Sequence, residues 1–264
     1  MRKKYSLSSQ VEENLENIPE TQTIQEEVYI EALKRLEQKR ILQKNEMLKK
    51  EQDQLDYFTL WVHQVKTPIS SMRLHLQNED SDLSRQLRSE LNRIEQYTEM
   101  VLTYLRLDSN SSDYLIQKVD VDKILKSSVR KFSSEFINRK LSLDYQVHPY
   151  LVLSDEKWLA FVFEQILSNA LKYTQCGKIT IQQEKNEIII EDTGIGIDSS
   201  DLSRVFEKGY TGFNGRMDKK ASGIGLFLVK RICDNLQHDI WIESEAGKGT
   251  RVHILFQEKK IGIE

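Results

Sequence analysis

LDYFTLWVHQVKTPISSMRLHL, from Leu55 to Leu76, decides the architecture of the first half of the chain. Apolar residues recur every seven positions through it and beyond it, at Ile41, Leu48, Leu55, Val62, Ile69 and Leu76. A second row follows three residues on, at Phe58, Val65 and Met72. A seven-residue apolar repeat with a second row at +3 is the seam of a coiled coil or helical bundle. Upstream, residues 23–50 are rich in Glu, Lys, Gln and Leu and contain neither Gly nor Pro, so the helix is predicted to begin there. Residues 1–22 form a polar lead-in. Downstream, Gln77-Asn78-Glu79-Asp80-Ser81-Asp82 interrupts the seam as a short turn. A second helix follows, with Leu87, Leu91, Ile94, Thr98, Val101 and Leu105 spaced by four and three, and it ends at the polar stretch 108–112. Residues 51–109 are therefore predicted to be an αα-hairpin. Two helices cannot enclose a core, so a homodimer forming a four-helix bundle is expected.

Composition narrows what the rest can be. A length of 264 residues corresponds to about two domains. With 38 Lys+Arg against 41 Asp+Glu the net charge is −3, which argues against nucleic acid as a partner. The two cysteines, Cys176 and Cys233, form no CxxC pair, as suits a reducing compartment. No apolar run reaches the roughly 20 residues that cross a bilayer. A cytoplasmic location is expected for the chain as it stands.

Beyond Asp113 the pattern changes to strands and helices. Tyr114–Val119, Leu141–Val147, Leu151–Leu153, Lys178–Gln183, Ile188–Glu191, Asp239–Glu243 and Thr250–Phe256 read as strands. Val121–Arg139, Lys157–Tyr173 and Ile224–Leu236 read as helices. Strands in pairs between helices point to an α+β sandwich over 113–258, followed by a tail at 259–264.

Four motifs carry chemistry. His63 is one residue from the seam position Val62, hence about 100° around the helix and facing outward. A neutral imidazole is a competent nucleophile near neutral pH. A lone helical His is commonly just a surface residue, but Pro68 inside the same helix costs about 3 kcal/mol and removes the N–H that would bond the Gln64 carbonyl. Asp192-Thr193-Gly194-Ile195-Gly196 places an acid at a strand end before two glycines, where a carboxylate can accept from an exocyclic amine such as adenine's. Ser222-Gly223-Ile224-Gly225-Leu226 opens a helix whose free N–H groups attract phosphate. Before it, Gly209–Arg216 with Lys219 and Lys220 has the composition of a mobile lid. In Asn169-Ala170-Leu171-Lys172-Tyr173, Asn169 offers an amide oxygen to a hard cation, and Lys172 a point charge to phosphate.

In this order the motifs resemble those of a sensor histidine kinase of two-component systems, over roughly residues 54–256. His63-Gln64-Val65-Lys66-Thr67-Pro68 resembles the phosphoacceptor box, 169–173 the N box, 192–196 a first glycine box, Val205-Phe206-Glu207-Lys208 the F box, 222–226 a second glycine box and Gly247-Lys248-Gly249-Thr250 the last. The phosphoacceptor box and the 206–216 stretch are most similar to kinases that sense antimicrobial peptides of the bacitracin type beside an ABC transporter.

The resemblance implies a Bergerat (GHKL-type) ATPase fold for the second domain. It also implies autophosphorylation of His63 from ATP with Mg2+, and transfer to an Asp of a response regulator receiver domain. His63, Gln64, Lys66, Thr67, Pro68 and Lys208 are the implied catalytic set. Asn169, Lys172, Tyr173, Asp192, Gly194, Gly196, Lys208, Gly223, Gly225, Leu226 and Thr250 are the implied nucleotide-binding set, with Asn169 and Gln165 on the metal. Thr67 is implied to orient water in a reverse, phosphatase reaction on the regulator. Such kinases are usually anchored in the plasma membrane by helices absent here. An ABC transporter is the implied further partner of a membrane-anchored longer form.

Two positions depart from the family pattern. Gln64 stands where an acid often follows the His, and an amide cannot take a proton. Gln165 stands where an Asn is common. The rival readings are a GHKL-type ATPase clamp and a non-catalytic dimeric scaffold.

Overall fold

A computed structural model of the chain describes residues 23–79, 81–108, 114–212 and 222–257. The expected lead-in 1–22, the linker 109–113, the lid residues Arg216, Lys219 and Lys220, and the tail 259–264 lie outside the described residues.

Helix α1 spans Ile24–Gln77 in 54 residues and runs unbroken through Pro68. The stretches 23–50 and 51–77, read separately from composition and from the seam, share this one helix. Up to His63, α1 exposes most of its apolar residues, among them Val28, Leu36, Ile41 and Leu48, and edge-to-face ring contacts link Phe58 to Tyr57 and Trp61. Val62 and Ile69 are buried.

Helix α2, Asp82–Asp108, begins with a reciprocal cap. The Ser84 amide donates to Ser81 Oγ at 3.0 Å and the Ser81 amide to Ser84 Oγ at 3.1 Å, which satisfies two N–H groups the helix start would orphan. The last turns of α1 are tied to α2 by Lys66 Nζ on Glu99 Oε2 at 3.2 Å. Arg73 Nη2 lies on Glu95 Oε2 at 2.6 Å and on Asn92 Oδ1 at 2.8 Å. Partners that advance on one helix and retreat on the other define an antiparallel hairpin.

The second domain opens with β1 (Gln117–Asp120) and α3 (Val121–Lys131), where the Asp120 carboxylate accepts from the amides of Asp122 and Lys123. The single helix expected over 121–139 is two. Phe132, buried with φ −99° and ψ 6°, ends α3 and starts α4 (Ser133–Arg139). Ser133 Oγ donates back to the Arg130 carbonyl, the local competition with helix bonds to which serine is prone.

There follow β2 (Ser142–Gln146), β3 (Leu151–Ser154), α5 (Glu156–Tyr173), β4 (Lys178–Glu184), β5 (Glu187–Asp192), the short α6 (Ser199–Leu202), α7 (Gly225–Leu236), β6 (His238–Glu245) and β7 (Gly249–Phe256). Strand β1 pairs with β3 in a two-stranded sheet. The main sheet runs β2-β4-β5-β7-β6, parallel at β2–β4 and antiparallel elsewhere.

One face of the sheet carries Ile179, Ile181, Ile188, Ile190, Val252 and Ile254 at the two-residue period of a strand. Against it lie Leu159, Val162, Phe163, Ile166 and Leu167 of α5 and Leu228, Val229 and Ile232 of α7, at helical spacing. Each such side chain contributes about 1.5–3 kcal/mol of burial, which makes this core self-sufficient. Leu107, near the end of α2, is part of the same cluster, and Met100 and Tyr104 pack against it.

Candidate functional site

Between the ends of α5, β5 and α7 and the middle of α2 lies a cavity of about 1000 Å3. Asp192 occupies it as the last residue of β5, where the sheet stops and the chain turns. Its Oδ1 accepts from the Gly194 amide at 2.8 Å. A Cβ at Gly194 would stand 2.5 Å from the Tyr173 carbonyl and 2.7 Å from Asp192 Oδ1, so the turn closes on the carboxylate only without a side chain there. Burial pushes the Asp192 carboxyl up to about 6, against the pull of the Gly194 and Thr250 amides. The group is a buried acceptor still ionised at neutral pH. It suits a ligand N–H that is itself removed from water.

Asn169, Lys172 and Tyr173 lie in the last turns of α5 and all line the cavity. Lys172 Nζ sits 4.9 Å from the centroid of the Tyr173 ring. One turn earlier, Gln165 Nε2 donates to Asn169 Oδ1 at 3.4 Å. A Cβ at Gly225, the first residue of α7, would come within 2.5 Å of Gln165 Nε2, so a side chain there would displace the Gln165 amide from its place beside Asn169. Gly196, Gly223, Leu226 and Thr250 complete the lining from the sequence-predicted set. Thr250 is held by Ser244, whose Oγ lies 3.0 Å from Thr250 Oγ1 and donates to the Gly249 carbonyl at 2.6 Å. Among the described residues no cluster of three His, Cys, Asp or Glu could hold a metal. Asn169 and Gln165 offer neutral amide oxygens. Such a pair fits Mg2+, which keeps waters and takes its remaining oxygens from phosphates.

The opposite wall comes from α2, through Ser89, Asn92, Arg93, Gln96, Tyr97 and Met100. Beside the cavity, the stretch 203–210 is folded: Phe206 packs on the core, the Arg204 guanidinium stacks 4.3 Å over the Tyr210 ring, and Tyr210 OH donates to Asp201. Lys208 projects from this stretch to the hairpin, donating from Nζ to Tyr104 OH at 2.6 Å.

His63 is exposed on α1, as the seam reading expects; Gln64, Thr67 and Pro68 are exposed too, and Lys66 is half-buried in its pair with Glu99. The structure thus brings Gln165, Asn169, Lys172, Tyr173, Asp192, Gly196, Gly223, Gly225, Leu226 and Thr250 to one cavity. Gly194 stands in the turn against Asp192.

Residues 154–260 match the model of the histidine kinase-, DNA gyrase B- and HSP90-like ATPase family. The sensor histidine kinase YxdK of Bacillus subtilis is 36% identical over 217 residues, covering 77% of this chain and 65% of the relative. The sensor protein BceS of Halalkalibacterium halodurans is 33% identical over 217 residues, covering 80% of this chain and 64% of the relative. Over most of its length the chain is similar to these sensor histidine kinases. It spans just under two thirds of the length of these relatives. Among solved structures, full-length ShkA in complex with AMPPNP shares the fold at 19% identity and a TM-score of 0.54, covering 76% of this chain and 45% of that one. The kinase AdeS of Acinetobacter baumannii does so at 19% identity and 0.52, covering 75% and 98%. No helix among the described residues is long and apolar enough to cross a membrane.

The sequence motifs mark the glycine turns and the acid well, but they miss the α2 wall and Tyr104. Tyr104 and Arg93 carry no local motif. Only the helical spacing of Met100, Tyr104 and Leu107 (i, i+4, i+7) hints that one face of α2 leaves the hairpin seam.

Proposed function

We propose that the chain is an ATP-dependent protein-histidine kinase that phosphorylates His63 and passes the phosphoryl group to an Asp of a response regulator. One observation carries the reading. A buried, ionisable acceptor at the glycine turn shares a cavity with a helix-end Asn and Lys, in a chain that also exposes an imidazole five residues before a helical proline. Asp192 accepts the adenine amine. Lys172 and Lys208 face the polyphosphate, and the N-terminus of α7 adds its free amides. Mg2+, held by Asn169 and Gln165 together with the nucleotide, supplies charge neutralisation on the phosphates.

An imidazole nitrogen of neutral His63 forms the N–P bond as the bond from the γ-phosphorus to the β,γ-bridging oxygen breaks. ADP leaves, and the ring proton passes to solvent, since Gln64 can accept a hydrogen bond but no proton. Positioning and charge stabilisation carry most of such a transfer. The phosphoramidate then passes to the regulator's carboxylate, with that protein docked on the hairpin beside His63. Thr67, one turn on from His63, orients water for dephosphorylating the same regulator.

Leu87, Ile94 and Val101 stay 44%, 44% and 37% exposed at heptad spacing on α2. That stripe supports pairing with a second copy as a four-helix bundle. ATP and a response regulator as substrates put the site in the cytoplasm, and an ABC transporter is the further partner we assign to a membrane-anchored longer form.

Incubation with γ-labelled ATP and Mg2+ tests the reading. Acid-labile, base-stable label that disappears in His63→Gln supports it. Steady phosphate release from an unlabelled chain would instead indicate an ATPase clamp, and absence of nucleotide binding a scaffold.

A further inference from the structure

Lys208 is solvent-exposed, yet its ammonium is engaged by a residue of the hairpin. Nζ donates to Tyr104 OH at 2.6 Å and lies 4.5 Å from the centroid of the same ring. The hairpin end of this contact is rigidly held. Tyr104 lies between Met100 and Leu107 on one stripe of α2, Leu107 is buried in the core of the ATPase domain, and Arg231 Nη2 of α7 donates to the Leu107 carbonyl at 3.1 Å. The other end is tied to the phosphate-binding turn, because the amide of Gly209, next to Lys208, donates to the Gly223 carbonyl at 2.9 Å. Lys208 thus links the hairpin to the segment that opens α7.

We propose that Tyr104 is a positioning residue for Lys208 which withholds the ammonium from the nucleotide, so that the hairpin phenol and the γ-phosphate compete for one cation. The proposal rests on the reading that Lys208 neutralises the transferring group. A phenol is a neutral acceptor, whereas a phosphate oxygen is anionic and makes the stronger, charge-assisted bond. ATP therefore draws Lys208 away from Tyr104, while ADP, lacking the γ-phosphate, leaves the pair in place. Linkage makes the effect reciprocal: whatever weakens the Tyr104 contact strengthens ATP binding by the same factor. The hairpin contact is thereby sensitive to which nucleotide is bound, through one side-chain pair.

The test is titration of the full chain with ADP and with a non-hydrolysable ATP analogue, in Mg2+, for the wild type, Tyr104→Phe, Lys208→Met and the double variant. Tyr104→Phe keeps the ring and its packing, so its thermal unfolding should match the wild type. We expect it to bind the ATP analogue about 2- to 10-fold more tightly, the worth of one released hydrogen bond, with ADP affinity unchanged. Its initial autophosphorylation rate at subsaturating ATP should rise by a similar factor. Lys208→Met should lose affinity for the analogue but not for ADP, and in that background Tyr104→Phe should have no effect. Unchanged or weaker analogue binding in Tyr104→Phe, with Lys208→Met behaving as stated, overturns the competition alone. Equal loss of analogue and ADP in Lys208→Met, or no loss of either, overturns the reading of Lys208 beneath it.

Discussion

The ATPase domain and the hairpin solve the same burial problem differently. In the domain, α5 and α7 close one sheet face, and Leu159, Phe163, Ile181 and Ile188 reach 0% exposure within one chain. In the hairpin, α2 buries Leu91 and Leu102 but leaves Leu87, Ile94 and Val101 in solvent. A sheet face and two helices make a complete two-layer core, whereas two helices make half of a bundle. The domain's stability is therefore intrinsic, while under the proposed pairing the hairpin's depends on protomer concentration.

The largest effect that separates the two regions is expected from Phe163→Ala. It should cost the domain about 3–5 kcal/mol and remove its cooperative thermal transition, while far-ultraviolet circular dichroism retains the helical signal of the hairpin. Ile94→Glu reverses the pattern. It should weaken self-association by roughly 100-fold in sedimentation equilibrium, since two carboxylates would enter an apolar seam, and leave nucleotide affinity unchanged. If dimerisation survives Ile94→Glu intact, the exposed stripe is not the pairing face.

A smaller effect comes from pH. Burial holds the Asp192 carboxyl at about 6, above its ordinary 3.8, and in the proposed function the ionised form is the one that accepts the adenine amine. Nucleotide affinity should therefore drop about tenfold between pH 7 and pH 5 by calorimetry, and Asp192→Asn should abolish that slope along with most of the binding. The sign for stability is opposite. A folded carboxyl above its unfolded value binds more protons in the fold, so the nucleotide-free domain gains stability as pH falls from about 6 toward 4. The smallest effect is expected from Arg73→Ala, which removes an exposed pair with Glu95 and should cost at most about 1 kcal/mol in a hairpin whose register is set by its seam.

Legibility in the sequence follows the same division. Period seven is visible over any few turns, so the hairpin, its turn at 77–82 and the outward face of His63 are all readable from spacing. The alternating isoleucines of β4 and β5 and the acid–glycine turn at Asp192 are equally local signals. The break at Phe132 was hidden because an amphipathic pattern continues across it, and the decisive event, burial of the phenylalanine, is tertiary. The parallel β2–β4 pairing is likewise invisible to local reading, since its partners are separated by β3 and α5. The α2 wall of the cavity escaped for the same reason: Arg93 and Tyr97 look like ordinary exposed helix residues until the ATPase domain is folded against them. Tyr104 is the sharpest instance, because its contact to Lys208 spans 104 positions.

The most direct measurement maps the phosphate. The chain is incubated with ATP and Mg2+, digested at neutral pH and sequenced by mass spectrometry. The account predicts phosphate on the His63 imidazole, absent from Asp192→Asn for want of bound nucleotide. Phosphate on any other side chain, or undiminished modification in Asp192→Asn, would contradict it.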